Sequence, residues 1–206
     1  MKKTAVLALL ILSLSLFGTA AIADIVGTSH DLTSNTTVLT NAGNTQVCAY
    51  CHTPHDASAT NSTTPLWNHE DTQATYTMYS SPSLDMTIAG SPAGVSLACL
   101  SCHDGTVAAD QLLNYPSGVS GPGIFTVGGL GTDLSNDHPI SLTYNVTQDA
   151  DFVAPVGSQV NGLQLFGGTG DQVECGTCHS VHDNTNEPFL RMSNAGSALC
   201  LACHVK

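Results

Sequence analysis

Cationic side chains are nearly missing from this chain of 206 residues, which has four Lys and Arg against 16 Asp and Glu. Lys2 and Lys3 stand at the extreme N-terminus, so only Arg191 and Lys206 serve the rest, and the formal charge beyond residue 23 is −14. Such a surface repels phosphate backbones and anionic headgroups, which excludes nucleic-acid binding and electrostatic membrane docking. It repels small anionic substrates for the same reason. Charged residues make up only 10 % of the chain. With many Ser, Thr, Gly and Asn residues, this predicts neutral polar loops rather than amphipathic helices.

Long apolar runs are equally scarce. Ala5 to Phe17 is apolar, but a bilayer-spanning helix needs about 20 residues. This run follows Lys2 and Lys3 and precedes Ala21-Ile22-Ala23, a small-x-small site. Residues 1–23 therefore read as a cleaved secretion signal, with a mature chain from Asp24. No cysteine stands at that new N-terminus, which argues against a lipid anchor. No later segment is suited to a membrane span. The expected location is outside the cytoplasm, either periplasmic or extracellular.

Cysteine is absent except in one pattern. All eight cysteines fall in four copies of Cys-x-x-Cys-His: Cys48, Cys51 and His52; Cys99, Cys102 and His103; Cys175, Cys178 and His179; Cys200, Cys203 and His204. A disulfide framework would not place a histidine after every second cysteine. A zinc site can use Cys-x-x-Cys pairs but has no need of that histidine. A thioredoxin-like motif would occur once, within a βαβ pattern. The pattern is the attachment signature of c-type haem, with two thiols on the porphyrin vinyls and the histidine as an axial iron ligand. The expected cofactors are four covalently attached haem c groups.

From Asp24 onward there are about 46 residues per haem, too few for a separate core around each. The expected fold is a multihaem cytochrome c: mostly irregular coil, with short helices at the haem motifs and a few short strands, wrapped around four stacked haems. Cys48 to Asp56 and Cys175 to Asp183 both fit Cys-x-x-Cys-His-x-x-His-Asp. Ala98 to His103 likewise matches Leu199 to His204. Residues 24–206 thus read as one domain of two dihaem halves, 24–115 and 171–206, joined by 116–170. Ile140 to Val146 alternates as a strand with one buried face. Leu163–Phe166 and Gln172–Glu174 are expected to pair as a hairpin across 167–171. Helices are expected at 96–103 and 195–204, and Pro54 limits helix after the first motif.

Nine histidines are present, and five remain after the motif ligands: His30, His55, His69, His138 and His182. Four irons offer at most four vacancies, so bis-histidine ligation throughout is expected. His55 and His182 each lie three residues beyond a motif histidine. Axial ligands on opposite faces of one iron separate their Cα atoms by roughly 12–13 Å, whereas three residues reach at most about 10–11 Å. Each is therefore expected to serve a neighbouring haem, which brings haems close enough for electron exchange. His138 is the candidate from the connecting segment, its second ring nitrogen held by Asp137 or a carbonyl. His30 is a candidate near the mature N-terminus, from this subunit or another. His69 is the weakest candidate, with hydrogen bonding to a propionate as its alternative. Met78, Met86 and Met192 could ligate iron, but with histidines in surplus they read as haem-edge packing, as do Trp67, Tyr76 and Tyr79.

Several longer words carry a resemblance. They are Cys-Ala-Tyr-Cys-His-Thr-Pro-His from Cys48, Pro65-Leu-Trp-Asn68, Cys99-Leu-Ser-Cys-His-Asp-Gly105, Asp137-His-Pro139 and Glu174-Cys-Gly-Thr-Cys-His179. In their order the chain resembles the doubled Cys-x-x-Cys-His multihaem cytochromes of metal-reducing microbes, and is most similar to the OmcE-type extracellular tetrahaem cytochromes. That resemblance implies a homopolymer joined through haem contacts between subunits. It implies a conductive filament, and electron exchange with redox proteins or extracellular acceptors. It also implies iron ligands shared across subunits, for which His30 is the expected donor. A soluble periplasmic electron shuttle is the alternative. A multihaem reductase is disfavoured, because spare histidines fill the irons and two cations cannot hold an anionic substrate.

Overall fold

The computed structural model describes residues 25–33, 44–119 and 129–205. The expected secretion signal lies outside these residues. Most of the described chain is turn and coil. Among the described residues no helix is long and apolar enough to cross a membrane.

The longest element is α1, Gly94–His103. Gly94 opens it at φ +52°, where a Cβ would also lie 3.1 Å from Thr63 Oγ1, so the entry requires glycine. The helix buries mainly small residues, Ser96, Ala98 and Ser101 beside Leu100. Small side chains let other segments approach its backbone. The remaining motifs form single turns: a 3-10 turn at Val47–Tyr50, α2 at Cys175–Cys178, and a 3-10 turn at Ala195–Ser197 leading into α3, Ala198–Leu201. Helices are thus placed at the motifs, as the sequence suggested. Glu174 caps α2 through a reciprocal box with Thr177.

Four two-residue strands make two antiparallel pairs. β1 (Leu142–Thr143) pairs with β4 (Gln172–Val173), and β2 (Gln159–Val160) with β3 (Leu163–Gln164). The strand expected over 140–146 contracts to β1. The expected hairpin between 163–166 and 172–174 is corrected: only Phe166 and Gln172 bridge across that turn. Asn161-Gly162 forms a tight turn, both residues at positive φ, and captures β3 for β2 instead. β4 turns to β1 over a cluster of Met86, Leu142, Tyr144, Val160, Leu165 and Val173.

Among the described residues the buried apolar side chains form three clusters rather than one core. A second cluster is built on Tyr50, Ala109, Leu112 and Val119, with Cys51 and Cys102 packed against it. A third is built on Tyr76, Leu100 and Leu134. Each cluster abuts a motif, so the small apolar groups are arranged around the cysteines.

Candidate functional site

The two halves repeat in three dimensions beyond their shared motif. His52 bridges Trp67 in antiparallel fashion, and His179 bridges Leu190 in the same way. The Nδ1 of His52 meets the Pro65 carbonyl at 2.7 Å, and that of His179 meets the Pro188 carbonyl at 3.0 Å. Thr53 N donates to Leu66 O at 2.9 Å and Ser180 N to Phe189 O at 2.8 Å. Leu66 and Phe189 both adopt positive φ, a conformation that bulky residues rarely hold. Asn68 Nδ2 then donates to Ala49 O at 2.7 Å, and Arg191 Nε to Gly176 O at 2.5 Å. Pro65–Asn68 and Pro188–Arg191 are thus equivalent cradles, each clamping one motif. Pro-apolar-apolar after each Cys-x-x-Cys-His-x-x-His was the available signal. The differing offsets, 13 residues and 9, obscured it.

A carbonyl only accepts, so the bond at Nδ1 fixes the N–H there and leaves Nε2 as a lone-pair donor. His138 follows the same rule, with Nδ1 on Pro139 O at 3.0 Å, so a carbonyl rather than Asp137 holds it. His55 is exposed, its own carbonyl accepting from Thr53 Oγ1 at 2.9 Å and Asn114 Nδ2 at 3.1 Å. His204 is half-buried beside Phe152, ring centres 4.4 Å apart.

Two histidine pairs face one another. His52 and His182 have ring centres 6.2 Å apart and planes 18° from parallel. His30 and His103 have centres 6.0 Å apart, with planes inclined by 56°. Two metal–imidazole bonds of about 2.0–2.1 Å, plus about 1 Å from each nitrogen to its ring centre, give roughly 6 Å across a shared metal. Burial lowers the His182 pKa, with smaller downward contributions from His52 and Arg191. Burial also lowers His30 and His103, with smaller contributions from neighbouring histidines. The neutral ring that iron requires is thereby favoured.

His30 sits opposite His103 within the same chain. Residues 25–33 fold into turns held by Asp31, which accepts from Gly27 N at 2.9 Å and Thr33 N at 3.1 Å. The ring of Phe189 packs edge-on against His30 at 4.6 Å. His69 is 2 % exposed, with Nδ1 2.8 Å from Glu70 O and Nε2 2.9 Å from Ala108 O. A neutral ring donates to one of these carbonyls only. Met86 is buried in the strand cluster and Met78 packs beside Leu100 and Leu134, both as packing residues.

The cysteines are all free thiols and the motifs adjoin in chain order. Cys51 and Cys102 pack against one cluster. Cys99 and Cys175 lie near enough to act on each other, which raises Cys99 and lowers Cys175. Cys178 lies near Cys200 and Cys203. Burial pushes the Cys51, Cys102 and Cys203 thiols up to about 11, 12 and 11. They are held neutral until alkylated.

These residues fit haem. The paired rings have the spacing of axial ligands, and the Tyr50 hydroxyl and Trp67 Nε1 are buried donors without partners. A group bearing carboxylates would satisfy such donors. Each motif would hold one haem through its two cysteines and its histidine.

These features support a multihaem c-type cytochrome, with covalent haem c at the Cys-x-x-Cys-His motifs. The family model described as Doubled CXXCH motif matches residues 169–206, which contain the third and fourth motifs. No curated protein matches the chain.

Proposed function

We propose that this chain carries four haem c groups, one per motif, and passes electrons along them as the subunit of an extracellular filament. Bound haem supplies the ferric–ferrous couple. The protein's residues hold the groups in line, provide both axial ligands and keep water from the irons. The observation that carries this reading is the facing of His52 by His182, with the serial approach of the cysteines from Cys51 to Cys203 beside it. A ligand given by one half to the other half's iron puts the haems in close succession, within reach for electron exchange.

His182 is assigned to the iron of His52, and His30 to that of His103. The equivalence of the two halves assigns His55 to the iron of His179, as the reciprocal of His182. His138 then serves the iron of His204, from the same chain or from the next subunit. The exposure of His138 supports a shared ligand. Export to the cell exterior follows from the expected signal and from haem attachment outside the cytoplasm.

Cys48 in the first motif and Cys200 in the last are exposed, and the other six cysteines are half-buried. Leu201 within the last motif and Val205 just after it are 46 % and 54 % exposed. These features support end-to-end continuation. The internal pairing of His30 with His103 favours a second reading, a self-contained soluble shuttle. Cryo-electron microscopy of material sheared from cells decides between them. Filaments with continuous haems and two histidines at each iron are expected. Monomeric particles with all four irons ligated internally would establish the shuttle, and fewer than four haems would overturn both.

A further inference from the structure

Glu174 lies at the seam between the second and third motifs and is 2 % exposed. It is the N-cap of α2. Its Oε2 accepts from the Ser96 hydroxyl of α1 and from the Ser141 hydroxyl at 3.0 Å. Ser96 Oγ in turn accepts from Cys175 N at 2.9 Å. Ser96 and Ser141 are themselves 0 % and 1 % exposed. Its other oxygen, Oε1, is sealed from solvent and has no hydrogen-bond partner. A cap needs only one carboxylate oxygen, so the local fold does not use the second.

No cation is among the groups that act on this carboxyl. The titratable groups that feel its charge are Cys99 on α1 and Cys175 on α2. Arg191 keeps its charge, which acts on Cys178, and its Nε donates to Gly176 O. Thioether formation would make the cysteines neutral. The groups acting on the carboxyl are burial, which raises its pKa, and the hydroxyls and amides of Ser96 and Ser141, which oppose it incompletely. An ionised Glu174 is thus a buried negative charge inside a strongly acidic chain. An electron arriving on either adjoining haem adds a second negative charge in the same interior, where Coulomb repulsion is weakly screened.

We propose that Glu174 binds a proton as an electron arrives at the junction of the second and third haem motifs, so that transfer through this point is proton-coupled. This rests on haem being attached at both motifs, as proposed above. The balance is one electron from the donor partner, which turns a ferric iron ferrous, and one proton from solvent, which adds at Oε1. Reoxidation returns both. Ser96 and Ser141 hold Oε2, which leaves Oε1 as the protonation site.

The test is potentiometric titration of the purified holoprotein over roughly pH 5 to 9, following haem absorption with soluble redox mediators. Mass spectrometry counts the attached haems first. In the wild type, the reduction equilibrium constant of a haem should fall up to tenfold per unit rise in pH within a window above the ordinary carboxylate range. Glu174→Gln should flatten that dependence, and Ser141→Ala, which removes one donor to the carboxylate, should move the window upward. Redox-difference infrared spectra should show a protonated carboxyl band on reduction of the wild type and none in Glu174→Gln. Four attached haems with potentials independent of pH, or a slope and band retained in Glu174→Gln, would overturn this inference alone. Missing haem at either motif would overturn the underlying assignment as well.

Discussion

The imidazole rings of His52 and His182 face each other at 6.2 Å and within 18° of parallel, although 130 residues separate them in the chain. One belongs to the first motif and the other follows the third. The second half thus contributes to the first half's candidate iron site. Reach alone barred His182 from the iron of its own neighbour, His179, and the fold supplies the partner that reach could not name. A site divided in this way cannot form until both halves have met, which ties ligation to tertiary folding.

Replacing His182 by Ala should therefore leave one of four haems without its sixth ligand. The holoprotein should show about one quarter of its haem as high-spin, and added imidazole should restore the low-spin spectrum. Electron paramagnetic resonance and optical absorption read this directly. A fully low-spin His182→Ala protein would show that another residue occupies that position.

His69 should behave in the opposite way. Both its nitrogens meet backbone carbonyls, so His69→Gln should leave haem content and spin state unchanged. Stability should fall by about 1–3 kcal/mol, the usual loss when a buried group is left unpaired. Denaturant unfolding of the holoprotein measures this. A new high-spin signal in His69→Gln would return His69 to the ligands.

Attachment chemistry was legible in the sequence because it depends on fixed local spacing, and so were the short helices at 94–103 and 195–201. Pairing was not. The Phe166–Gln172 turn was read correctly as a turn, but Asn161-Gly162 decided which strand Leu163 joined. His69 reads as the weakest candidate, and a sequence does not show which carbonyls surround its ring. His30 reads as a ligand that would tie down a terminal segment; Asp31 and Phe189 hold that segment as well. The cradles at Pro65–Asn68 and Pro188–Arg191 escaped notice because Asn68 and Arg191 share a backbone role but no chemistry.

That shared role predicts unequal costs. Asn68 is 1 % exposed; it donates to Ala49 O and Asn114 O, each at 2.7 Å, and accepts from Asn114 N at 2.8 Å. Asn68→Ala strands three half-buried backbone groups and should cost about 3 kcal/mol. Arg191 is exposed and its Nε makes one such bond. Arg191→Ala strands one carbonyl, that of Gly176, and should cost about 1 kcal/mol. Paired unfolding curves of the two variants check the order. Equal losses would mean that the cradles act through backbone alone.

Glu174 gives a pH dependence of definite sign. Burial holds its pKa above the usual carboxylate range, against the hydroxyl bonds from Ser96 and Ser141. Folding therefore favours the acid form relative to the unfolded chain. That contribution is complete below the unfolded value of about 4.3 and is lost as pH rises through the higher folded value. Glu174→Gln is neutral throughout and lacks this slope. Against the wild type it should gain stability steadily from about pH 4 towards neutrality, and its amide can turn towards the place where Oε1 now has no partner. Denaturation midpoints of the two oxidised holoproteins, taken at a series of pH values, measure the difference. A wild type that gains on Glu174→Gln as pH rises would reverse the sign. The ionised carboxylate would then stabilise the seam, which would require a hydrogen-bond donor to Oε1, such as an ordered water.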